Sequence, residues 1–138
     1  MYRRILVALD ASSADLDILE HIERLASYCR AEVILFRAAH YDTLDSRRAE
    51  IDEGQAALDS AERRLSAAGI AVTKVLGHGE PSEAIVAAAE RHNCDLIAMA
   101  THGHGRLVDL LVGSVADRVR HGTHIPILLI KSRHWREG

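Results

Sequence analysis

The sequence predicts an α/β fold: a single-domain, three-layer α/β/α sandwich whose five parallel strands follow the doubly wound order 3-2-1-4-5, with four helices on the two faces. Three observations carry this. Short apolar runs alternate with longer segments of helical period. The connections are long enough for right-handed parallel crossovers. The 138 residues suit one hydrophobic core, so the whole span 1–138 is expected to be one domain.

The elements follow in order. Residues 4–9, RILVAL, form a branched apolar run that ends at Asp10-Ala11-Ser12-Ser13, as a strand buried on both faces does. From Ala14 to Arg30, Ile18, Ile22, Leu25 and Cys29 recur every three to four residues and form one helical stripe. Ser12 or Ser13 can cap that helix, and Asp15 and Asp17 suit its positive end. A second strand is EVILFRAA at 32–39, followed by a polar stretch, HYDTLDSRR, that reads as a surface loop. Gly54, Leu58, Ala61, Leu65 and Ala68 then share one face of a long helix, with Gly69 as its stop.

Strand three is IAVTKVL at 70–76. Pro81 sits near a helix start, where its missing amide does no harm, and that helix turns Ile85, Ala88 and Ala89 inward. DLIAMA at 95–100 is strand four; a glycine-rich loop, a helix from near Ser114 to Gly122 and a last strand, PILLIK at 126–131, complete the chain before a solvated tail, SRHWREG.

Composition excludes several roles. The net charge of −3 is too weak to attract nucleic acid, and aromatics at 4% leave no stacking platform for single strands or carbohydrate. Cys29 and Cys94 lack the paired spacing of a redox or zinc motif and fit a reducing compartment. No run reaches the ~18 residues of a membrane span, and MYRRILVALD has no apolar segment long enough for a signal peptide, so the chain reads as cytoplasmic, with no membrane partner.

The stretch MATHGHGRLVDLLVGSVADRVR, from Met99 to Arg120, carries the chemistry. With Gly103 and Gly113 free of side chains, backbone amides can converge on an anion, while Ser114 opens a helix whose dipole favours negative charge. The plainer alternative is a tight turn at Gly103 and Gly105 with Ser114 as an ordinary cap. Three named motifs fail. No Lys precedes Ser114 as a P-loop requires, no glycine follows the first strand as a dinucleotide fingerprint requires, and His102-Gly103-His104-Gly105 has neither the order nor the location of an adenylyl-transferase signature. In a doubly wound sheet a ligand sits beyond the carboxyl ends of the strands at the switch point, which puts Asp10 and the loop after Ala100 beside one crevice if strands one and four are neighbours.

Over nearly its whole length the chain resembles the universal stress protein family, through ILVALDASS, GEPSEAIVAAAERHNCDLIAMATHG and GRLVDLLVGSVADRVRHGTHIPILLIK. Nucleotide-binding members show Gly, two residues, Gly, nine residues, then Gly-Ser or Gly-Thr. Here Gly103, the nine residues His104 to Val112 and then Gly113-Ser114 match, while Ala100 stands at the first glycine. The resemblance implies that Asp10 meets the ribose or adenine, that Ala38 presents backbone groups to the adenine with Met99 close by, and that Gly103, Gly113, Ser114 and Val115 hold the phosphates, with Ala100 at the entrance.

The implied ligand is ATP or another adenine nucleotide, with or without magnesium carried on its phosphates. The expected role is regulation in a stress response. A nucleotide-free interaction module of the same family and a slow ATPase remain alternatives, and no catalytic residue is assigned because no general base, phosphate-gripping lysine or activated nucleophile is visible. Nine histidines, His102, His104 and His78 among them, lack the converging ligands of a metal site, and none is assigned. The apolar last strand, Pro126 to Lys131, invites pairing with a second copy of the chain if it lies at a sheet edge, and the resemblance likewise implies a homodimer through it.

Overall fold

The computed structural model describes residues 1–10, 14–39, 43–101 and 115–131. Its elements run β1 (Arg4–Leu9), α1 (Ala14–Cys29), β2 (Glu32–Ala39), α2 (Leu44–Ala67), β3 (Val72–His78), α3 (Pro81–Arg91), β4 (Leu96–Thr101), α4 (residues 115–122) and β5 (Ile127–Lys131). All strand pairs are parallel, as the alternation of elements predicts, and the order is the expected β3-β2-β1-β4-β5.

Both faces of the sheet are covered. Ile5, Val7 and Leu9 of β1, Val33 and Leu35 of β2, and Leu96 and Ala98 of β4 meet Ile18 and Ile22 of α1 and Leu58, Ala61 and Leu65 of α2. Leu6, Ile34, Phe36, Ile97 and Met99 turn the other way, against Ile85, Ala88 and Ala89 of α3 and Val119 of α4. Each fully buried Ile, Leu or Phe stabilises the fold by roughly 1.5–3 kcal/mol. An exposed pair such as Arg64 Nε to Glu23 Oε2 at 3.0 Å, linking α2 to α1, adds only about 0.2–1 kcal/mol. Burial therefore decides the layers, and the surface charges decorate them.

Three helices end alike and hand the chain to the next strand in register. At the end of α2, Gly69 donates to the Ser66 carbonyl at 2.9 Å and Ile70 to the Leu65 carbonyl at 3.1 Å, with Gly69 at a φ of +83°. Arg30 and Asn93 hold the same left-handed position after α1 and α3, at φ values of 57° and 55°. The residue after each of the three, Ala31, Ile70 and Cys94, is buried, the apolar contact that accompanies this helix stop.

Two elements differ from the expectation by more than a single residue. Ile70 belongs to the helix stop rather than to strand three, and β3 instead continues through Gly77 and His78, paired with Ala38 and Ala39. A glycine is accommodated there because the Phe36 ring occupies the space its side chain would take. The polar stretch after β2 is also not all loop. Thr43 caps a helix that starts at Leu44: its hydroxyl accepts from the Ser46 amide at 3.2 Å, and the Ser46 hydroxyl reaches back to the Thr43 amide at 3.4 Å.

Two glycine replacements are expected to separate. In Gly77→Ala the new methyl would lie 2.5 Å from the Phe36 ring, which costs about 2 kcal/mol in urea unfolding. In Gly54→Ala the clash, at 2.8 Å, is with the tip of Leu76, which can rotate, and the gain in helix propensity offsets it to within about 1 kcal/mol.

Candidate functional site

The carboxyl ends of β1, β2 and β4 lie side by side, with Ala8 level with Phe36 and Val7 level with Ala98. The chain leaves β1 toward α1 on one face and reaches β4 from α3 on the other, so the switch point falls between β1 and β4. Asp10 follows β1 directly and is exposed; its amide donates to Asp15 Oδ1 at 3.1 Å, which ties the strand end to the first turn of α1.

Ala38, Met99 and Val115 pack into one cluster on the α3/α4 face, together with Ala8. Ala8 and Ala38 are small and partly buried there, and Met99 is buried, 7% exposed. The structure thus brings together Ala38, Met99 and Val115 beside the strand that ends at Asp10. Gly103, Gly113 and Ser114, with His102 and His104, lie outside the described residues.

Ala100 is a different case. It is level with Ile130 of β5 and packs into the cluster beneath α1 and α2, on the opposite face from Ala38 and Met99. Its methyl group therefore points away from the face those residues share, and the departure from glycine does not fill that side of the strand end.

Burial of Val119 seats α4 on the sheet, and a polar junction links that helix to the start of α3. Glu80 caps α3, accepting from the Ser82 hydroxyl and from the Glu83 amide at 2.9 Å. Arg118, one turn into α4 from Val115, places Nη1 3.5 Å from Glu80 Oε1. The Ser82 hydroxyl first and the Glu83 amide second hold the Glu80 carboxyl below its ordinary value of 4.5; burial opposes them, and the Ser82 amide and the Arg118 charge add the smallest effects. Reading the sequence found Pro81 as the helix start but missed this junction, which joins residues 38 positions apart.

At the far end of the sheet Cys94 is buried and its thiol is pushed up to about 11, by desolvation first and by the Asp95 charge second, so it is protonated and inert at neutral pH. Among the described residues no group of three or more His, Cys, Asp or Glu side chains is arranged to hold a metal ion, and no helix is long and apolar enough to cross a membrane.

Residues 1–131 match the model of the Universal stress protein family. Universal stress protein MJ0531 of Methanocaldococcus jannaschii is 30% identical over 141 residues, covering 95% of this chain and 83% of that protein. The solved structure of protein MJ0577, also of M. jannaschii, superposes with a TM-score of 0.78 at 28% identity, covering 95% of this chain and 96% of the other. A universal stress protein solved in complex with cAMP superposes with a TM-score of 0.76 at 25% identity, over 95% of this chain and 98% of the other.

The lowered Glu80 carboxyl gives a pH signature. A depressed native value means that its stabilisation is complete above 4.5 and is lost as the pH falls through the lower native value. Glu80→Gln is expected to be less stable than the wild type by about 0.5–1 kcal/mol at neutral pH, and the gap to close in denaturant titrations carried below pH 4.5.

Proposed function

Because the chain belongs to the universal stress protein family, we propose that it is a cytoplasmic regulatory protein that binds an adenine nucleotide, ATP foremost, at the carboxyl ends of β1 and β4. The observation that carries the reading is the meeting of Ala38, Met99 and Val115 on one face beside the strand ending at Asp10, where a switch-point ligand sits. The cAMP complex of a relative at 25% identity supports the adenine class.

In this reading Asp10 accepts hydrogen bonds from the ribose hydroxyls or the adenine amine, and a carboxylate suits both donors. Ala38, one residue from the end of β2, meets the adenine edge, and Met99 and Val115 supply apolar contact to the ring and sugar. Gly103, Gly113 and Ser114, which precedes the described part of α4 in sequence, receive the phosphates with backbone amides and helix dipole, and a magnesium ion arriving with ATP would be held by those phosphates rather than by a protein cage.

Thermal unfolding with millimolar ATP, ADP, AMP or cAMP, with and without magnesium, tests the reading. A ligand at about 100 times its Kd adds roughly 2.7 kcal/mol to folded-state stability. Asp10→Ala and Ser114→Ala are each expected to weaken binding about tenfold or more, the loss of one or two charge-assisted or neutral hydrogen bonds. Unchanged melting with every nucleotide, together with flat calorimetry, would sink the reading and leave a nucleotide-free interaction module.

Ala100 offers a sharper check. Because its methyl packs under α1, Ala100→Gly is expected to leave nucleotide affinity within about twofold while lowering stability by roughly 1 kcal/mol, through lost packing and added backbone freedom.

We further propose a homodimer through β5. The two sheet edges differ. β3 carries exposed Thr73 and Lys74, and Lys74 is engaged by Asp59 at 2.7 Å and Glu62 at 3.1 Å of α2. Lysine on an edge strand discourages further pairing. β5 is the other edge; its exposed lysine, Lys131, stands at the last position of the strand, and Leu129 in its middle is 49% exposed. Sedimentation at micromolar concentration is expected to give about twice the 15.2 kDa chain mass, and Leu129→Asp to return it toward one chain.

A further inference from the structure

We propose that Arg37 anchors an oxyanion subsite at the carboxyl end of β2, on the face opposite Ala38, Met99 and Val115, and that it takes a phosphate-sized anion. Arg37 is 7% exposed, and its Nη1 is fully buried without a hydrogen-bond partner. Among the described residues it forms no ion pair. It stands level with Leu9 on β1 and Leu76 on β3, and both of these pack into the apolar cluster under α1 and α2. Gly54 of α2 covers its stem: a methyl group there would lie 3.5 Å from Arg37 Cγ.

A guanidinium does not shed its proton to escape such surroundings, as a lysine or histidine can. A buried charge without a partner is strongly unfavourable, and the desolvation of Arg37 has already been met in folding. An arriving anion therefore gains the full attraction without that opposing term. The guanidinium fork fits the oxygens of phosphate or carboxylate.

The fold also provides an approach. Arg37 lies two residues before the end of β2 at Ala39. The buried residues of α2 begin at Gly54, and none of the ten from Leu44 to Glu53 is buried. At about 1.5 Å per residue the 24-residue α2 is roughly 10 Å longer than the eight-residue β2 at about 3.3 Å per residue, so its first turns overhang the strand ends instead of packing on them. In this proposal the anion reaches Arg37 from the strand end that these unburied turns extend past. This inference does not depend on the nucleotide reading, whose phosphates are assigned to Gly103, Gly113 and Ser114.

The test is thermal unfolding of the full chain in inorganic phosphate titrated against chloride at constant ionic strength, for wild type, Arg37→Met and Arg37→Lys, with and without saturating AMP. The wild-type midpoint is expected to rise along a saturating curve, by roughly 3–5 °C at ten times the Kd. Arg37→Met is expected to melt at or above the wild type in phosphate-free buffer, because an apolar chain replaces an unpaired charge, and to lose the rise. Arg37→Lys should keep a smaller one. A rise that persists under AMP assigns the subsite to free phosphate; a rise abolished by AMP, with AMP itself binding Arg37→Met more weakly, assigns it to the phosphate of the nucleotide. No rise in the wild type, an equal rise in Arg37→Met, or a drop of several degrees for Arg37→Met without phosphate would each overturn the proposal, the last by showing that Arg37 is already paired within the protein.

Discussion

β1 is hydrogen-bonded along both of its edges, to β2 and to β4, and the rest of the geometry follows from that. A central parallel strand cannot be reached by a hairpin, so each neighbour requires a crossover helix, and right-handed crossovers in opposite directions place α1 and α2 on one face and α3 and α4 on the other. The segments leaving β1 and β4 therefore depart to opposite sides. A switch point of this kind is where doubly wound sheets take their ligands.

The opposite end is closed as firmly. The Asp95 carboxylate accepts from the amides of Arg3 at 2.9 Å and Arg4 at 3.1 Å, and Arg4 Nη1 donates to the His92 carbonyl at 3.0 Å. These contacts set the start of β1 against the start of β4, and the left-handed helix stops at Arg30, Gly69 and Asn93 deliver each following strand at a defined height. Local chain chemistry at the amino ends of the strands thus aligns their carboxyl ends, where Asp10, Ala38 and Met99 stand. A site assembled from strand ends inherits its precision from a rigid sheet rather than from its loops.

Much of this was legible beforehand. β1 and β2 fall on the residues their apolar runs predict, and Pro81, Gly69 and Gly122 mark helix ends as read. The errors came where local chemistry has two uses. Ile70 looks like strand but is the buried residue of a helix stop, Gly77 lies past the expected end of strand three at 76 but is strand, beside a Phe36 ring that leaves no room for a side chain, and Thr43 with Ser46 looks like loop but forms a reciprocal cap. The junction of Glu80, Ser82 and Arg118 joins two helices far apart in sequence, and no local pattern encodes it.

By itself the sequence determined the kinds of element, their alternation, the parallel sheet and the family, because these rest on period, composition and motif spacing. Only the tertiary structure decided which way single side chains face. In a strand covered on both sides the alternation of polar and apolar residues vanishes, and with it the parity that would assign each residue to a face. So the direction of the Ala100 methyl, the burial of Arg37 beneath α2 and the exposure of Leu129 on an open edge were settled by packing between distant segments, which sets the face that every other residue of a strand presents.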